Sequence, residues 1–160
     1  MNAAIARVVE TVASSDFGQW ASGSPIAYPF ANVVHLLGLV MLVGGIGIVD
    51  LRLAGAFRAL PLAPLSRALT PVAVAGLVLM LPSGATMVAA DPAVMQSGVF
   101  QTKLALIGVA LLNAVAFRFL YRGRIESWDR EPPLSMRAMA IGSIMLWLTI
   151  GGLGRMIAYS

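Results

Sequence analysis

His35 is the only histidine of the chain, and it stands inside an apolar run from Phe30 to Val49. An ionisable imidazole in hydrocarbon is costly, so such a residue marks a functional site by default. Two further cations, Lys103 and Arg155, fall near the same membrane level on other apolar segments. At about 1.5 Å of rise per residue, His35 lies roughly 9 Å from the outer end of its segment, Lys103 roughly 6 Å and Arg155 roughly 4 Å. Groups of one sign repel unless an anion joins them, and the outer halves of these segments carry no carboxylate; Asp16 and Asp91 fall in the flanking stretches. A haem b meets that requirement. Neutral imidazole is a standard axial ligand of its iron, and its propionates call for Lys and Arg donors nearer the water. His35 is the expected axial ligand, with Lys103 and Arg155 toward the propionates. Gln101, Ser83 and Trp20 are available as supporting hydrogen-bond partners, and Trp147 and Phe100 as ring neighbours. The second axial position is open: no ligand, water, the Met87 thioether, or the partner subunit's His35 in a symmetric dimer. The plain alternative is a neutral imidazole hydrogen-bonded to Asn32, Ser83 or a carbonyl of a neighbouring helix.

Copper is the competing metal, because thioethers suit Cu(I) and the chain has nine methionines. Their spacing does not converge. Met80 and Met87 share a helix face, Met136 and Met139 lie toward the opposite end, and Met41 and Met145 fall in mid-segment. Methionine also fills packing gaps in any core. The absence of cysteine removes disulfides, thiolate ligands, Cys-linked haem and Cys nucleophiles together. Paired carboxylates, a Ser-His-Asp set and a phosphate loop do not occur. Asp50, Glu126, Asp129 and Glu131 stand among arginines, where solvated salt bridges are expected. With no acid expected inside the membrane, proton-driven transport is disfavoured. Asn113, a polar residue in mid-span, is expected to pair across helices.

The elements that must position these groups are membrane helices. The chain is 59% hydrophobic and 11% charged, with mean hydropathy +0.86, whereas soluble domains carry about 25% charged residues. A span takes about 20 apolar residues, and four are expected, near residues 29–49, 70–90, 99–120 and 137–158. The fold class is therefore all-α, an integral membrane four-helix bundle forming a single domain over 1–160, with Pro82 bending the second span. Residues 1–27 form an interfacial segment. Ile5, Val8, Val9 and Val12 recur at the spacing of a short amphipathic helix, followed by a turn-rich approach at Asp16–Trp20 and Ser22–Pro25, with Trp20 and Tyr28 as anchors. No cleavable signal peptide is apparent in Met1–Ser15. Eight of the 11 Lys and Arg residues fall in the stretches after the first and third spans or at the span ends that border them. Positive-inside bias makes those stretches cytoplasmic and both termini periplasmic in a bacterial inner membrane. The same spread reads as topology and not as a nucleic-acid face. Gly38, Gly44, Gly45 and Gly47, with Gly142, Gly151, Gly152 and Gly154, permit close helix approach, or room for a flat cofactor.

The order of motifs resembles a known layout. His35 is followed by Gly44-Gly45, then by Gly76-Leu77 and Ser83-Gly84 on the second span. Phe100-Gln-Thr-Lys103-Leu104 then opens the third, with Asn113 further along it. Across roughly residues 28 to 122, this is similar to the superfamily that contains the HemJ-type protoporphyrinogen oxidases and the CopD copper-resistance membrane domain. In the HemJ-type proteins a first-span histidine and a third-span lysine are the essential pair and b-type haem binds. The resemblance implies those roles for His35 and Lys103. The chain departs in its added N-terminal segment, in lacking a tryptophan after the histidine, and in lacking the outward-facing histidines of CopD-type domains. Haem binding therefore carries over more directly than porphyrinogen oxidation or copper transport. The expected function is a haem b protein of the inner membrane, active in electron transfer or as an oxidoreductase at the periplasmic face. The alternatives are copper transport and a non-catalytic subunit, whose glycine-rich faces join a homo-oligomer or a larger membrane complex.

Overall fold

In hydrocarbon a backbone has no water to bond, so a long apolar run satisfies its amides internally by coiling into a helix. The computed structural model of this protein, which describes residues 3–120, 128 and 132–157, is built in that way. Two short helices come first, α1 (Ala3–Ser14) and α2 (Asp16–Gly23). Four long ones follow: α3 (Ala27–Ala54), α4 (Leu62–Ala90), α5 (Gly98–Leu120) and α6 (Leu134–Ile157). All four are long and apolar enough to cross a membrane. A 3-10 turn, Pro92–Gln96, joins α4 to α5. Large apolar side chains face outward all round the bundle, among them Val40, Val78, Leu112 and Leu148, each at least 60% exposed. Such a surface belongs in lipid and not in water.

Packing runs in the order α4, α3, α6, α5. The α3–α4 pair is the tightest, because glycines meet there. A Cβ on Gly76 would lie 2.5 Å from the Gly38 carbonyl oxygen, and one on Gly38 would lie 2.7 Å from the Gly76 carbonyl oxygen. The two backbones therefore touch, as small residues in membrane helices allow. Leu42, Ala73, Met80, Ala110, Trp147 and Ile150 form one buried cluster joining the four long helices. A second, with Val49, Leu53, Leu62, Met136 and Ala140, lies toward the arginine-rich end. Asn113 donates from Nδ2 to the Met139 carbonyl at 3.3 Å, the cross-helix pairing expected of it.

Several boundaries differ from the sequence reading. Helix α4 begins at Leu62, ahead of the expected 70, because hydropathy marks the bilayer crossing while hydrogen bonding continues past it. It also contains Pro71 as well as Pro82. Each interior proline removes an N–H and frees the carbonyl four residues earlier, those of Arg67 and Val78. The stretch Asp16–Trp20, expected as turns, is helical. Ser15 caps α2 by accepting from the Gly18 amide at 3.0 Å, and its own hydroxyl donates to the Val12 carbonyl at 2.7 Å. Gly18 packs directly on that carbonyl, so the α1–α2 corner admits no side chain there. Helix α3 closes on Gly55, at φ 113°, with Gly55 N–H to the Arg52 carbonyl and Ala56 N–H to the Leu51 carbonyl. This is a Schellman end, which favours glycine.

Asp50 overturns the expectation of a solvated loop acid. It lies within α3, is 6% exposed, and among the described residues its Oδ2 has no hydrogen-bond partner. Ser143 of α6, itself buried, is its side-chain neighbour. The first span therefore runs longer than expected, and its last turns draw Asp50 and Arg52 inside. Arg52, 2% exposed, donates to the Leu60 carbonyl at 2.7 Å and folds the following loop around itself. The salt bridges expected of Glu126, Asp129 and Glu131 lie outside the described residues.

Candidate functional site

The end of the bundle that carries the N-terminal helices also carries the histidine. His35 sits on α3 one turn before the Gly38–Gly76 crossing, so close helix approach brings its ring against α4. There Nδ1 lies 3.1 Å from the Ser83 hydroxyl. That hydroxyl has one proton, and it is directed at the Leu79 carbonyl, 2.6 Å away. Ser83 Oγ is thus an acceptor toward the ring, and His35 Nδ1–H is the donor. The Met80 carbonyl lies 3.3 Å from the same hydroxyl. This arrangement favours the tautomer protonated at Nδ1, with the lone pair on Nε2. Gly84 makes room for the ring, since a Cβ there would meet His35 Cε1 at 3.2 Å and Nδ1 at 3.5 Å.

Lys103, half-buried on α5, reaches the same region. Its Nζ lies 3.3 Å from the position a Cβ on Gly154 would take, so the absence of a side chain on α6 lets it lie down there. Its charge is close enough to act on the His35 ring. Among the described residues, no hydrogen bond or ion pair joins its ammonium. From the helix ends, His35 is about 12 Å deep and Lys103 about 7 Å, so the expected order of depth is preserved.

The other expected residues are placed differently. Arg155 is exposed in the last turn of α6 and engaged in an interaction of its own. Gln101 is turned to the 3-10 turn, where its Nε2 donates to the Met95 carbonyl at 3.0 Å. Met87 lies one turn beyond Ser83 on α4, half-buried. Trp20 stacks on Phe17 at 5.8 Å between ring centroids. Trp147 belongs to the buried core, and Phe100 faces α1. The structure thus brings together His35, Ser83 and Lys103, with Gly84 and Gly154 as the gaps that admit them. The roles of those two glycines depend on cross-helix neighbours, which adjacency in the chain does not show.

An imidazole with its Nδ1–H anchored and its Nε2 lone pair free is the usual arrangement of a metal-ligating histidine. A bare ion needs several protein donors, and no group of three His, Cys, Asp or Glu residues able to hold one occurs among the described residues. A porphyrin supplies its own equatorial nitrogens, so a single imidazole is enough. Fold and site together define a four-span α-helical membrane protein with a histidine held at Nδ1 by a serine and, among the described residues, a lysine ammonium that no hydrogen bond or ion pair joins. The chain belongs to a family of unknown function, DUF6644, which matches residues 9–160. No curated protein and no solved structure matches it.

Proposed function

We propose that this protein binds haem b in a bacterial inner membrane and serves electron transfer or redox chemistry at the periplasmic face. The carrying observation is the 3.1 Å contact between His35 Nδ1 and the Ser83 hydroxyl, which favours Nε2 as a lone-pair donor, with Lys103 in the same region joined by no hydrogen bond or ion pair among the described residues. His35 would hold the iron and Lys103 a propionate; Arg155, nearer the water, would serve the second. Bound haem supplies one-electron chemistry. The chain's part is to orient the imidazole, neutralise carboxylates and keep water from the buried face. The likeness in motif order to HemJ-type proteins supports the same pair of residues.

The purified protein, expressed with haem supply, is expected to show a b-type reduced-minus-oxidised spectrum that His35→Ala abolishes. No Soret or α band after supplementation, or full haem in His35→Ala, overturns the reading. Orientation is testable separately, because the chain has no native cysteine. A cysteine at Ser22 should react with an impermeant maleimide from outside the cell, and one at Arg58 only after lysis.

A second reading, a subunit of a homo-oligomer or larger complex, has its own observation. Gly44 and Gly47 on α3, with Gly142, Gly151 and Gly152 on α6, would meet nothing within 4 Å if given a Cβ. Open small-residue surfaces of this kind admit another helix. Stable co-purification with a partner, without chromophore, would favour it.

A further inference from the structure

A cleft of about 470 Å³ opens between α3 and α4 toward the end of the bundle that carries α2, beyond the tight crossing. It exists because its α3 wall is built from small residues, Ala27 and Ala31, while Pro82 replaces a backbone donor on the α4 wall. Phe30 and Val34 complete an apolar wall, and Trp20 stands at the mouth. Its volume falls within the range of small-molecule sites, about 300–1,000 Å³.

The polar groups of the cleft are of one kind at its α4 wall. Ser83 and Thr86 both line it and, three residues apart, lie on one face of α4. Ser83 spends its proton on the Leu79 carbonyl, and Thr86 spends its own on the Pro82 carbonyl at 3.0 Å. A hydroxyl has one proton and two lone pairs. After Ser83 accepts from His35, it keeps one lone pair, and Thr86 keeps both. The wall can therefore accept hydrogen bonds and cannot donate them. The rest of the lining does offer a donor, since Ser24 accepts from the Ala27 amide at 3.3 Å and keeps its own proton. Phospholipid esters and quinone carbonyls, which only accept, can meet Ser24 but leave Ser83 and Thr86 unmet, whereas an apolar ring bearing O–H serves both.

We propose that this cleft binds the hydroxylated ring of a membrane-soluble phenol or hydroquinone, its O–H groups donating to Ser83 and Thr86. Ser83 then touches both the ligand and His35, so the two sites share a hydroxyl. The proposal goes beyond the haem reading and stands without it.

The test reads binding alone. Protein held in lipid nanodiscs is titrated calorimetrically with butylhydroquinone, its dimethyl ether and butylbenzoquinone, and empty nanodiscs are subtracted. The hydroquinone is expected to bind saturably, with the ether and the quinone at least tenfold weaker. Thr86→Val, which keeps shape and removes the acceptor, should weaken the hydroquinone about fivefold and leave the ether unchanged. Ala31→Phe, which fills the cleft, should weaken it tenfold or more. Melting curves of both variants establish that they fold; Thr86→Val decides the matter if Ala31→Phe does not. Equal binding of hydroquinone and ether, or a Thr86→Val variant that binds the hydroquinone as the parent does, overturns the proposal. Failure of the haem spectrum alone leaves it standing.

Discussion

Replacing Gly76 by alanine tests the claim that the α3–α4 backbone contact sets the histidine in place. The added methyl would stand 2.5 Å from the Gly38 carbonyl oxygen, 2.7 Å from the Leu42 nitrogen and 2.9 Å from Met41 Cβ. Two of these three atoms are backbone, so no rotamer change relieves them. Ordinary contact begins at 3.4 Å, which requires the helices to part by about 0.9 Å. The His35–Ser83 bond, at 3.1 Å, would then stretch to about 4 Å and cease to be a hydrogen bond. Overpacking costs about 1–3 kcal/mol and the lost bond about 1 kcal/mol. Alanine's better helix propensity returns up to about 1 kcal/mol. The net loss is about 2 kcal/mol. Gly44→Ala is the matched control on α3, since its methyl would meet nothing within 4 Å. It should be neutral or stabilising by up to about 1 kcal/mol. At about 2–4 °C per kcal/mol for a chain of this size, the two variants should differ in melting midpoint by at least about 4 °C. Tryptophan-fluorescence melts in one detergent read the difference. If Gly76→Ala melts with or above Gly44→Ala, the helices do not touch as described.

Further expectations concern single side chains. Ser83→Ala removes the acceptor for His35 Nδ1–H, and loss of such an outer partner typically costs a metal-bound histidine 10–100-fold in affinity. Competition for haem with an apo-globin measures it, and unchanged retention would separate Ser83 from the site. Lys103→Met should weaken haem retention about tenfold through a lost charge-assisted bond, while leaving the melting midpoint of the haem-free protein nearly unchanged. Asp50→Asn keeps the shape and removes a carboxylate whose Oδ2 is unsatisfied. An unpaired buried charge is costly, so the midpoint should rise by several degrees, and a fall would show that the charge is compensated. Asn113→Leu should cost only about 0.6 kcal/mol, the mean for hydrogen bonds between membrane helices.

The four spans were legible because hydropathy over about 20 residues is a direct reading of the solvent. His35 and Lys103 were legible as exceptions inside those runs, and Asn113 for the same reason. What hydropathy cannot report is the end of a helix beyond the bilayer, and so Leu62 to Leu69 were missed. Asp50 was misplaced for a related reason: it follows an apolar run and precedes Arg52, which reads as a loop until α3 is seen to continue to Ala54. Ser15 before Asp16 was a helix-capping signal for α2, overshadowed by the two nearby glycines. The Gly38–Gly76 contact and the turning of Gln101 to Met95 depend on which residues face one another across space. A single chain with no repeat carries no local mark of that.

The seat of α1 raises a matter of timing. Helix α1 packs on the 3-10 turn Pro92–Gln96, and its Ala4, Ile5 and Val8 line one groove with Met95, Phe100 and Leu104, residues made some ninety positions later. At about 5–20 residues per second, the ribosome takes roughly 5–20 s to supply them. Throughout that interval the amphipathic N-terminus lacks its principal seat and has the lipid headgroups, α2 and later α4 to lie on. The first hairpin of spans must be inserted, and the third begun, before the segment can leave the membrane surface for the protein. Docking of α1 is accordingly a closing step of biogenesis, and its protection from protease should appear only in nascent chains long enough to expose α5.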